Sequence, residues 1–459
     1  MQDTVFETQV TEECPTATHT LEKQGTLSRP SVEAAVGMSR KWDARQAGRE
    51  VAETAIRQLK GPPSFFLLFS TIHYEKYGGF QELLNGVWDV LPKGTPLVGG
   101  TVAGFMNNYG CYSRGATALA VSYSDFDVCT GYGMNTKRNP QKAVEQSVLM
   151  IKKGFESSKY KNKFLLNFVS GPELMKIPGQ GYKKVVDSGT ISKFVTLAFG
   201  VSQYILQKGL GREDEILEEF TKKFPEFNMV LGASVDDYKG ISNYQFFSNK
   251  FLTNAVVNLG ISTDLDINVC TTHGMKKTNI KFEITRLSRN KHFIHEINNK
   301  PAFPELLRLL NWPKGYLKEK TLFNIIPYYP ISVERNGKES PVVMPGILKD
   351  SIITPCIIDK GEVSILTVSG KNLVNAIKEN LNCYNDIKPE FGLFPICMTI
   401  MATFGYKTNI FRTEMLNYFK EKPFLAIYCA GEGTYSPIKD MSYANMSFNG
   451  AVFGRNNGK

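Results

Sequence analysis

The sequence predicts a mixed α/β (α+β) protein in which layers of helices pack on mixed sheets. Apolar strand-like runs alternate with amphipathic helical patterns along most of the chain. In addition, the string Val-Cys-Thr-Gly-Tyr-Gly-Met at 128–134 returns as Val-Cys-Thr-Thr-His-Gly-Met at 269–275. A repeated string within a repeated order of elements indicates a duplicated unit in the N-terminal region.

Length and composition favour a globular protein with more than one domain. The chain has 459 residues, of which 42% are hydrophobic and 21% are charged. Its net charge of +10 comes mostly from scattered lysines, without the basic runs interleaved with aromatic residues that are typical of a nucleic-acid groove. We therefore expect a solvated basic surface and no nucleic-acid partner.

The N-terminal sequence and the cysteine spacing indicate in which cellular compartment the protein is located. The first residues show no basic region followed by an apolar stretch, and the longest apolar stretches, near 194–206 and 393–404, are shorter than the roughly 20 residues of a membrane span. The eight cysteines include no CxxC pair and their spacing suggests no disulfide framework. These patterns predict a cytoplasmic protein without a membrane span.

The elements follow in an order that restarts once. Residues 1–36 are polar and predict a disordered tail. The first copy, at about 60–135, and the second, at about 163–276, each read as buried strand, amphipathic helix, glycine-ended strand and further strands. From residue 309 helices and strands alternate again, which predicts a related C-terminal domain.

Several stretches together resemble the FIST family. In chain order they are Val230-Leu-Gly-Ala-Ser-Val-Asp-Asp237, Thr272-His-Gly-Met, Ile294 to Ala302, Phe394-Pro-Ile-Cys397, Glu414, Ala430-Gly-Glu432 and Asn445-Met-Ser447. The resemblance implies an N-terminal FIST domain over 37–308 and a C-terminal FIST domain over 309–455. It also implies a sensory module that binds a small ligand, with Cys397 and Asn445 among its ligand-binding residues. Two departures concern that ligand: Ile400 stands where the family's Cys-x-x-Arg motif has its arginine, and Ala444 stands where relatives carry histidine.

Acidic side chains at strand ends are the first candidates for binding. Glu432 follows a buried strand and a glycine, at the end of a strand where α/β proteins place ligand groups, and its carboxylate could hold an amine or a cation. Asp236 and Asp237 also follow a strand, where paired acids can bind a cation. Turn chemistry alone also explains an aspartate in that position.

Histidines and cysteines are the second group of candidates. His273 stands in the second copy where the first has Tyr132, and it would suit a haem ligand or a proton switch. The set Cys270, His273, His292 and His295 has i,i+3 spacings, which on strands send side chains to opposite faces. We therefore expect no metal site there.

The residues together predict a small-ligand-binding sensory protein whose pocket lies between the N-terminal and C-terminal domains. Output would pass to a partner protein, and exposed sheet edges would permit a homodimer. Two alternatives stay open: a hydrolase-like enzyme that uses Asp237, Glu432 or Cys397, and a haem-binding gas sensor that uses His273. No catalytic residue is assigned.

Overall fold

A computed structural model describes residues 30–456, apart from residues 178, 180, 314–324 and 336. Helices pack on three mixed sheets, so the predicted α/β class is confirmed. Most of the predicted disordered tail, residues 1–36, lies outside the described residues. Its last four residues are ordered, because they belong to a strand that begins at Glu33.

The first unit of the fold runs from residue 33 to residue 122. Its elements are β1 (Glu33–Ser39), α1 (Ala44–Ile56), β2 (Phe65–Ser70), a 3₁₀ helix (Ile72–Glu75), α2 (Phe80–Trp88), β3 (Leu97–Thr101), β4 (Gly104–Asn107), β5 (Gly110–Tyr112) and β6 (Ala116–Ser122). Four strands lie in the order β1-β6-β2-β3, with β2 parallel to β3. Both faces of β2 are covered, which is why its sequence is almost entirely apolar.

The second unit repeats this order from residue 126 to residue 263. Its elements are β7 (Phe126–Met134), α3 (Pro140–Gly154), β8 (Asn162–Ser170), β9 (Val185–Val186), α4 (Gly189–Val201), a π-helical turn (Ser202–Leu206), α5 (Glu213–Lys223), β10 (Asn228–Ser234), β11 (Gln245–Phe247), β12 (Lys250–Leu252) and β13 (Ala255–Thr263). The strands lie in the order β7-β13-β8-β10, which matches the first unit, and β8 is parallel to β10.

A separate sheet is inserted after the first strand of the third unit. That strand is β14 (Asp266–His273), and the inserted elements are β15 (Met275–Leu287), β16 (Phe293–Ile297), β17 (Lys300–Pro301), α6 (Ala302–Leu309), a 3₁₀ helix (Ile326–Tyr328), β18 (Ile331–Arg335), β19 (Lys338–Val342), β20 (Gly346–Leu348), β21 (Ser351–Ile353) and β22 (Gly361–Val368). These strands and β9 form one sheet. The expected domain division at 308 and 309 therefore falls inside a single sheet.

The third unit then continues to the end of the described chain. Its remaining elements are α7 (Gly370–Asn382), β23 (Ile387–Cys397), α8 (Met398–Phe404), a 3₁₀ helix (Gly405–Thr408), α9 (Asn409–Phe419), β24 (Phe424–Tyr435), β25 (Ser442–Tyr443) and β26 (Ser447–Asn456). The strand order β14-β26-β23-β24 is that of the first two units, and β23 is parallel to β24. The same arrangement thus occurs three times. Descent from a duplicated sequence stays a prediction.

One strand of each unit also pairs with a strand of a neighbouring unit. Strand β11 of the second unit pairs with β3 of the first, and β4 of the first pairs with β24 of the third. The far end of β24 pairs with β10 of the second unit. These exchanges close the three units into a ring, which places loops from different units side by side.

The core lies where the three units meet. Phe65, Phe164 and Phe391 come from the first central strand of each unit, and all three are buried in one cluster with Phe453. The ring of Phe453 stacks on Phe391 at 4.5 Å between centroids and meets Phe164 edge-on at 4.9 Å. Burial of such large apolar rings stabilises the closed ring of units.

One disulfide corrects the expectation drawn from cysteine spacing. Cys270 on β14 is bonded to Cys383, the residue that ends α7. The two cysteines are 113 residues apart because the inserted sheet separates the two elements in sequence. Among the described residues, Cys111, Cys356, Cys397 and Cys429 carry free thiols.

Within the described ranges, no helix is long and apolar enough to cross a bilayer. The apolar stretch near 194–206 forms most of α4 and the turn after it, whereas the stretch near 393–404 is divided between β23 and α8. The first stretch leaves several apolar side chains exposed, and the second is mostly buried.

Candidate functional site

The candidate site lies at an irregularity in β24, where this strand passes from the third unit to the second. Gly431 has a φ of 65°, which a glycine adopts without strain, and the register against β10 shifts between Gly232 and Ala233. The irregularity turns the next side chain, Glu432, inward. Glu432 is fully buried, and neither of its carboxyl oxygens has a hydrogen-bond partner among the described residues.

Glu213 and Tyr443 approach the same place from two other elements. Glu213 is the first residue of α5 and is buried, while Tyr443 lies on β25 opposite Gly433. A Cβ atom added to Gly431 would lie 2.8 Å from Cγ of Glu213 and 3.0 Å from the Tyr443 hydroxyl. The Tyr443 hydroxyl likewise lacks a partner within the described part of the chain. Only glycine at position 431 lets these groups come together.

Burial controls the protonation of the two glutamates. Loss of hydration, together with the charge of neighbouring Asp214, raises the pKa of Glu213 to about 8. Burial also raises the pKa of Glu432 well above its ordinary value, and the charge of Glu213 adds to that rise. Two buried carboxyl groups close together, of which Glu432 has no hydrogen-bond partner among the described residues, favour a proton or a cation between them.

Asp214, next to Glu213, already has a cationic partner. Its Oδ2 lies 3.6 Å from the guanidinium of Arg335 and accepts a hydrogen bond of 3.2 Å from the backbone N–H of Ile357. Arg335 also lies over the ring of Tyr443, at 5.4 Å from its centroid. The inserted sheet thus supplies a counter-ion to Asp214, whereas no salt bridge to Glu213 or Glu432 occurs among the described residues.

Of the predicted residues, Cys397 and Glu432 come together. Cys397 ends β23 and is buried, and its thiol faces the Glu432 carboxyl. Burial, with the charge of Glu432, raises the pKa of the thiol to about 12. A thiol held in this form is a poor nucleophile, so the geometry lends no support to a thiol-based enzyme.

Asn445 has a structural role close to the site. Its side-chain oxygen accepts a hydrogen bond of 3.1 Å from the backbone N–H of Val343, and its own N–H donates to the carbonyl of Pro341 at 2.9 Å. These bonds attach the loop after β25 to the inserted sheet. Asn445 therefore positions Tyr443, two residues earlier in the chain.

Asp236 and Asp237 take no part in this cluster. The carboxylate of Asp236 accepts hydrogen bonds from the N–H groups of Gly240 at 2.8 Å and Ile241 at 2.7 Å, which closes a turn. Asp237 is exposed and pairs with Lys239 at 2.7 Å. The turn interpretation accounts for both residues.

His273 lies at the end of β14 and is half-buried. Its Nε2 is 3.3 Å from the carbonyl oxygen of Glu339, its Nδ1 has no partner among the described residues, and burial lowers its pKa. No described hydrogen bond connects it with Glu432. In the part of the chain that the structure describes, no three histidine, cysteine or acidic side chains form a group that could hold a metal ion.

Glu213 and Tyr443 are the residues that the sequence did not reveal. Glu213 begins a helix whose apolar periodicity was its most visible feature, and acidic residues are ordinary in a first helical turn. The available signal was the Gly-Arg-Glu-Asp string at 211–214, in which two adjacent acids follow a glycine and an arginine. Tyr443 lies in a short segment with no recognisable pattern.

A second buried charged cluster lies nearby in the second unit. Lys137 is fully buried, and its ammonium donates to Ser170 Oγ at 3.0 Å, Glu173 Oε1 at 3.3 Å and Asn254 Oδ1 at 2.8 Å. Lys208 pairs with the other oxygen of Glu173. All three donors of Lys137 are used, so this cluster is a closed structural network.

Comparisons with known proteins give one informative result. A search of curated proteins finds no match. Among solved structures, that of PurLQS from Thermotoga maritima aligns over 93% of this chain and 73% of its own, at 11% identity and a TM-score of 0.20, which does not indicate a shared fold. The FIST N domain model matches residues 64–300, just over half of the chain. The alternation of buried strands and helices, the glycine-ended strand β10 and the strings around it are thus those of a FIST protein, and the chain belongs to the FIST family.

Proposed function

We propose that this chain is a sensory protein that binds a small cationic ligand at the Glu213–Glu432 pair. One observation carries the proposal: both carboxyl oxygens of Glu432 are fully buried without a hydrogen-bond partner among the described residues. A buried carboxyl group in that state costs free energy, and such groups are normally hydrogen-bonded. A ligand that donates hydrogen bonds and carries positive charge would remove the cost.

The chemistry of the enclosure selects an amine over an anion. Glu213, Glu432 and Tyr443 all offer acceptor oxygens, and two of the three are acids. An ammonium group supplies three donors and one positive charge, which would hold both carboxylates ionised.

The position of the pair suits a sensor. Glu213 belongs to the region matched by the FIST N domain, whereas Glu432 and Tyr443 belong to the segment that follows it. A ligand between them would couple α5 to β24 and β25, and the proposal includes a C-terminal FIST domain over 309–455 on this basis. Output through a partner protein, a cytoplasmic location and a homodimer belong to the same proposal.

Amine binding is tested by thermal unfolding. The full-length protein is titrated with ammonium, methylamine and 1,4-diaminobutane chlorides, with sodium chloride as the ionic-strength control. We expect an amine to raise Tm, and the Glu432→Gln variant to lose that response. The matched control is Glu305→Gln, because Glu305 is also buried but already paired with Arg308.

Native mass spectrometry of protein purified from its own host tests the same idea without a chosen ligand. We expect a retained small molecule of basic character that is absent from Glu432→Gln. If the mass equals that of the bare chain and no amine changes Tm, the proposal fails.

The stability of Glu432→Gln separates a binding role from a structural one. An amide removes the cost of burying an unpaired carboxyl, so we expect the free energy of unfolding at pH 8 to rise by about 1–2 kcal/mol in urea. A loss of similar size would mean that Glu432 holds the fold together through the carboxylate itself.

A further inference from the structure

The outer face of α4 and the turn after it carries a concentration of exposed apolar side chains. Within residues 189–206 the sequence has one charged residue, Lys193. The exposed apolar side chains are Phe194, Leu197, Val201, Tyr204, Ile205 and Leu206, with exposed fractions between 56% and 81%. We call these six residues the α4 face. Single exposed apolar residues are ordinary, but a continuous group of this kind indicates an interaction surface.

The helix is held firmly from its other side. Val195, on the inner side of α4, is buried with Ile177, Val186, Phe293 and Leu348 in a small core between the helix and the inserted sheet. Phe199 meets Phe293 edge-on at 5.0 Å. Because its inner face is satisfied, the helix does not need to move for the α4 face to be covered.

Basic side chains surround the α4 face. Arg138 donates hydrogen bonds to the carbonyls of Tyr204 at 2.7 Å and Ile205 at 3.3 Å, and Lys142 shares a surface cavity with Arg138 and Tyr204. Lys193 is exposed on the helix itself.

Two more lysines lie in the loop that packs under the helix. Lys176 and Lys183 are exposed on either side of a bridge between Ile177 and Gly181, and Ile177 belongs to the core beneath α4. No aspartate or glutamate occurs within 189–206. The surface is therefore apolar in the middle and mainly positive around it, with Asp187 as an exposed acid just before the helix.

We propose that the α4 face docks on the surface of an anionic lipid bilayer. Helices that lie in the membrane interface bury an apolar face while basic residues contact anionic headgroups, each basic residue adding to the attraction. The long side chains of lysine and arginine reach the headgroups while aromatic and aliphatic side chains enter the acyl boundary. This inference does not depend on the ligand proposed for Glu432.

A second copy of the chain is a less suitable occupant. The α4 face is about 20 Å long, and a helix face of that length offers a few hundred Å², less than the roughly 800 Å² per partner of a standard protein interface. The ring of positive charge would also repel its own copy, whereas an anionic bilayer attracts it.

Vesicle co-sedimentation of the full-length protein tests the docking. We expect binding to vesicles of phosphatidylcholine with roughly 30% phosphatidylserine, weak binding to phosphatidylcholine alone, and a decrease with added salt. Leu197→Glu, at a side chain that is 81% exposed, should weaken binding at least about tenfold without unfolding the protein. The matched control is Ile438→Glu, at an apolar side chain that is 93% exposed elsewhere, which should bind as the original protein does.

Two results would overturn the proposal. One is the same sedimentation for Leu197→Glu and the original protein, or none with either vesicle. The other is a dimer in light scattering that Leu197→Glu converts to a monomer while vesicles bind neither form, because the face would then be a contact between copies.

Discussion

Two buried charged clusters in neighbouring parts of this molecule are built in opposite ways. Around Lys137 every donor of the ammonium has an acceptor, and Glu173 is shared between two lysines. Around Glu432 two carboxyl groups and a tyrosine hydroxyl meet, and neither carboxyl oxygen of Glu432 has a hydrogen-bond partner among the described residues. The first cluster pairs a buried cation with a carboxylate and two neutral acceptors, whereas the second brings two acids together with no salt bridge to a cation among the described residues.

The difference between the two clusters shows that a buried ionisable group can serve either structure or function. A buried ion needs partners, and where the fold supplies them the group serves structure. Where the fold brings acids together and supplies no cation, the free energy cost persists in the unliganded protein, and strongly perturbed groups of this kind are concentrated at functional sites. The two clusters should therefore respond in opposite directions when a charge is removed.

Removal of Lys137 should have the largest effect. Lys137→Met removes the ammonium that donates to Ser170, Asn254 and the buried Glu173, and we expect a loss of about 3–5 kcal/mol in the free energy of unfolding. Lys208→Met is the matched control, since Lys208 is 41% exposed and contacts the same carboxylate, and it should cost less than about 1 kcal/mol. Urea unfolding of both variants measures the effects. Similar values for the two would contradict a closed network at Lys137.

The pH dependence of the free energy of unfolding should reveal the protonation of Glu213 in the cluster around Glu432. Because the pKa of Glu213 is raised to about 8 in the folded protein, the folded state holds a proton that the unfolded state releases above its ordinary pKa. Stability from this group is therefore present at low pH and is lost as pH rises toward 8, by on the order of 3 kcal/mol between pH 5 and pH 8.

Glu213→Gln is the variant that tests this assignment. We expect urea unfolding of the variant to depend much less on pH across that window, since a glutamine does not titrate. A saturating amine should flatten the curve of the original protein in the same way, because the cation stabilises the ionised pair. An unchanged slope in the variant would assign the pH dependence to other groups.

The geometry at Gly431 predicts that a substitution there lowers the free energy of unfolding by an intermediate amount. Gly431→Ala places a Cβ at positive φ and 2.8 Å from Cγ of Glu213, so we expect a loss of about 2–4 kcal/mol. Gly94→Ala is the control, because Gly94 also has positive φ but has nothing within 4 Å of the added atom, and it should cost only about 1–2 kcal/mol. Urea unfolding gives both values. If the two variants are equal, the close approach of Glu213 is not real.

The smallest expected changes in stability are those of substitutions at the two aspartates after β10. Asp236→Ala removes the acceptor of two backbone N–H groups and should cost about 1–2 kcal/mol, whereas Asp237→Ala removes an exposed ion pair and should change stability by less than about 0.5 kcal/mol. Neither change should alter the amine response. A ligand-binding role for Asp237 would appear as a lost Tm response without lost stability.

Local patterns were sufficient for much of the fold. The predicted buried strand, amphipathic helix and glycine-ended strand occur in the first copy as β2, α2 and β3 and in the second as β8, α5 and β10. Their existence depends on residues within a few positions of one another, which is the range over which hydrophobic periodicity acts. The elements of the second copy could be predicted from the sequence for the same reason.

The third occurrence of the same strand order could not be predicted from local patterns. The inserted sheet separates β14 from α7, so the pattern that links them is broken in sequence although the strand order is intact. The same separation concealed the bond between Cys270 and Cys383. Spacing arguments apply to residues near one another and carry little information across an insertion.

For the candidate site, the sequence by itself determined that Glu432 follows a buried strand and a glycine, and that a carboxylate there could hold a cation. Only the tertiary structure decided that Glu213 and Tyr443 would meet it, and that Asp214 rather than Glu432 would receive the guanidinium of Arg335. The physical reason is that these groups come from three separate elements, brought together when β24 leaves its own unit and pairs with β10. Pairing between distant strands is set by the packing of the whole ring, which no local pattern records.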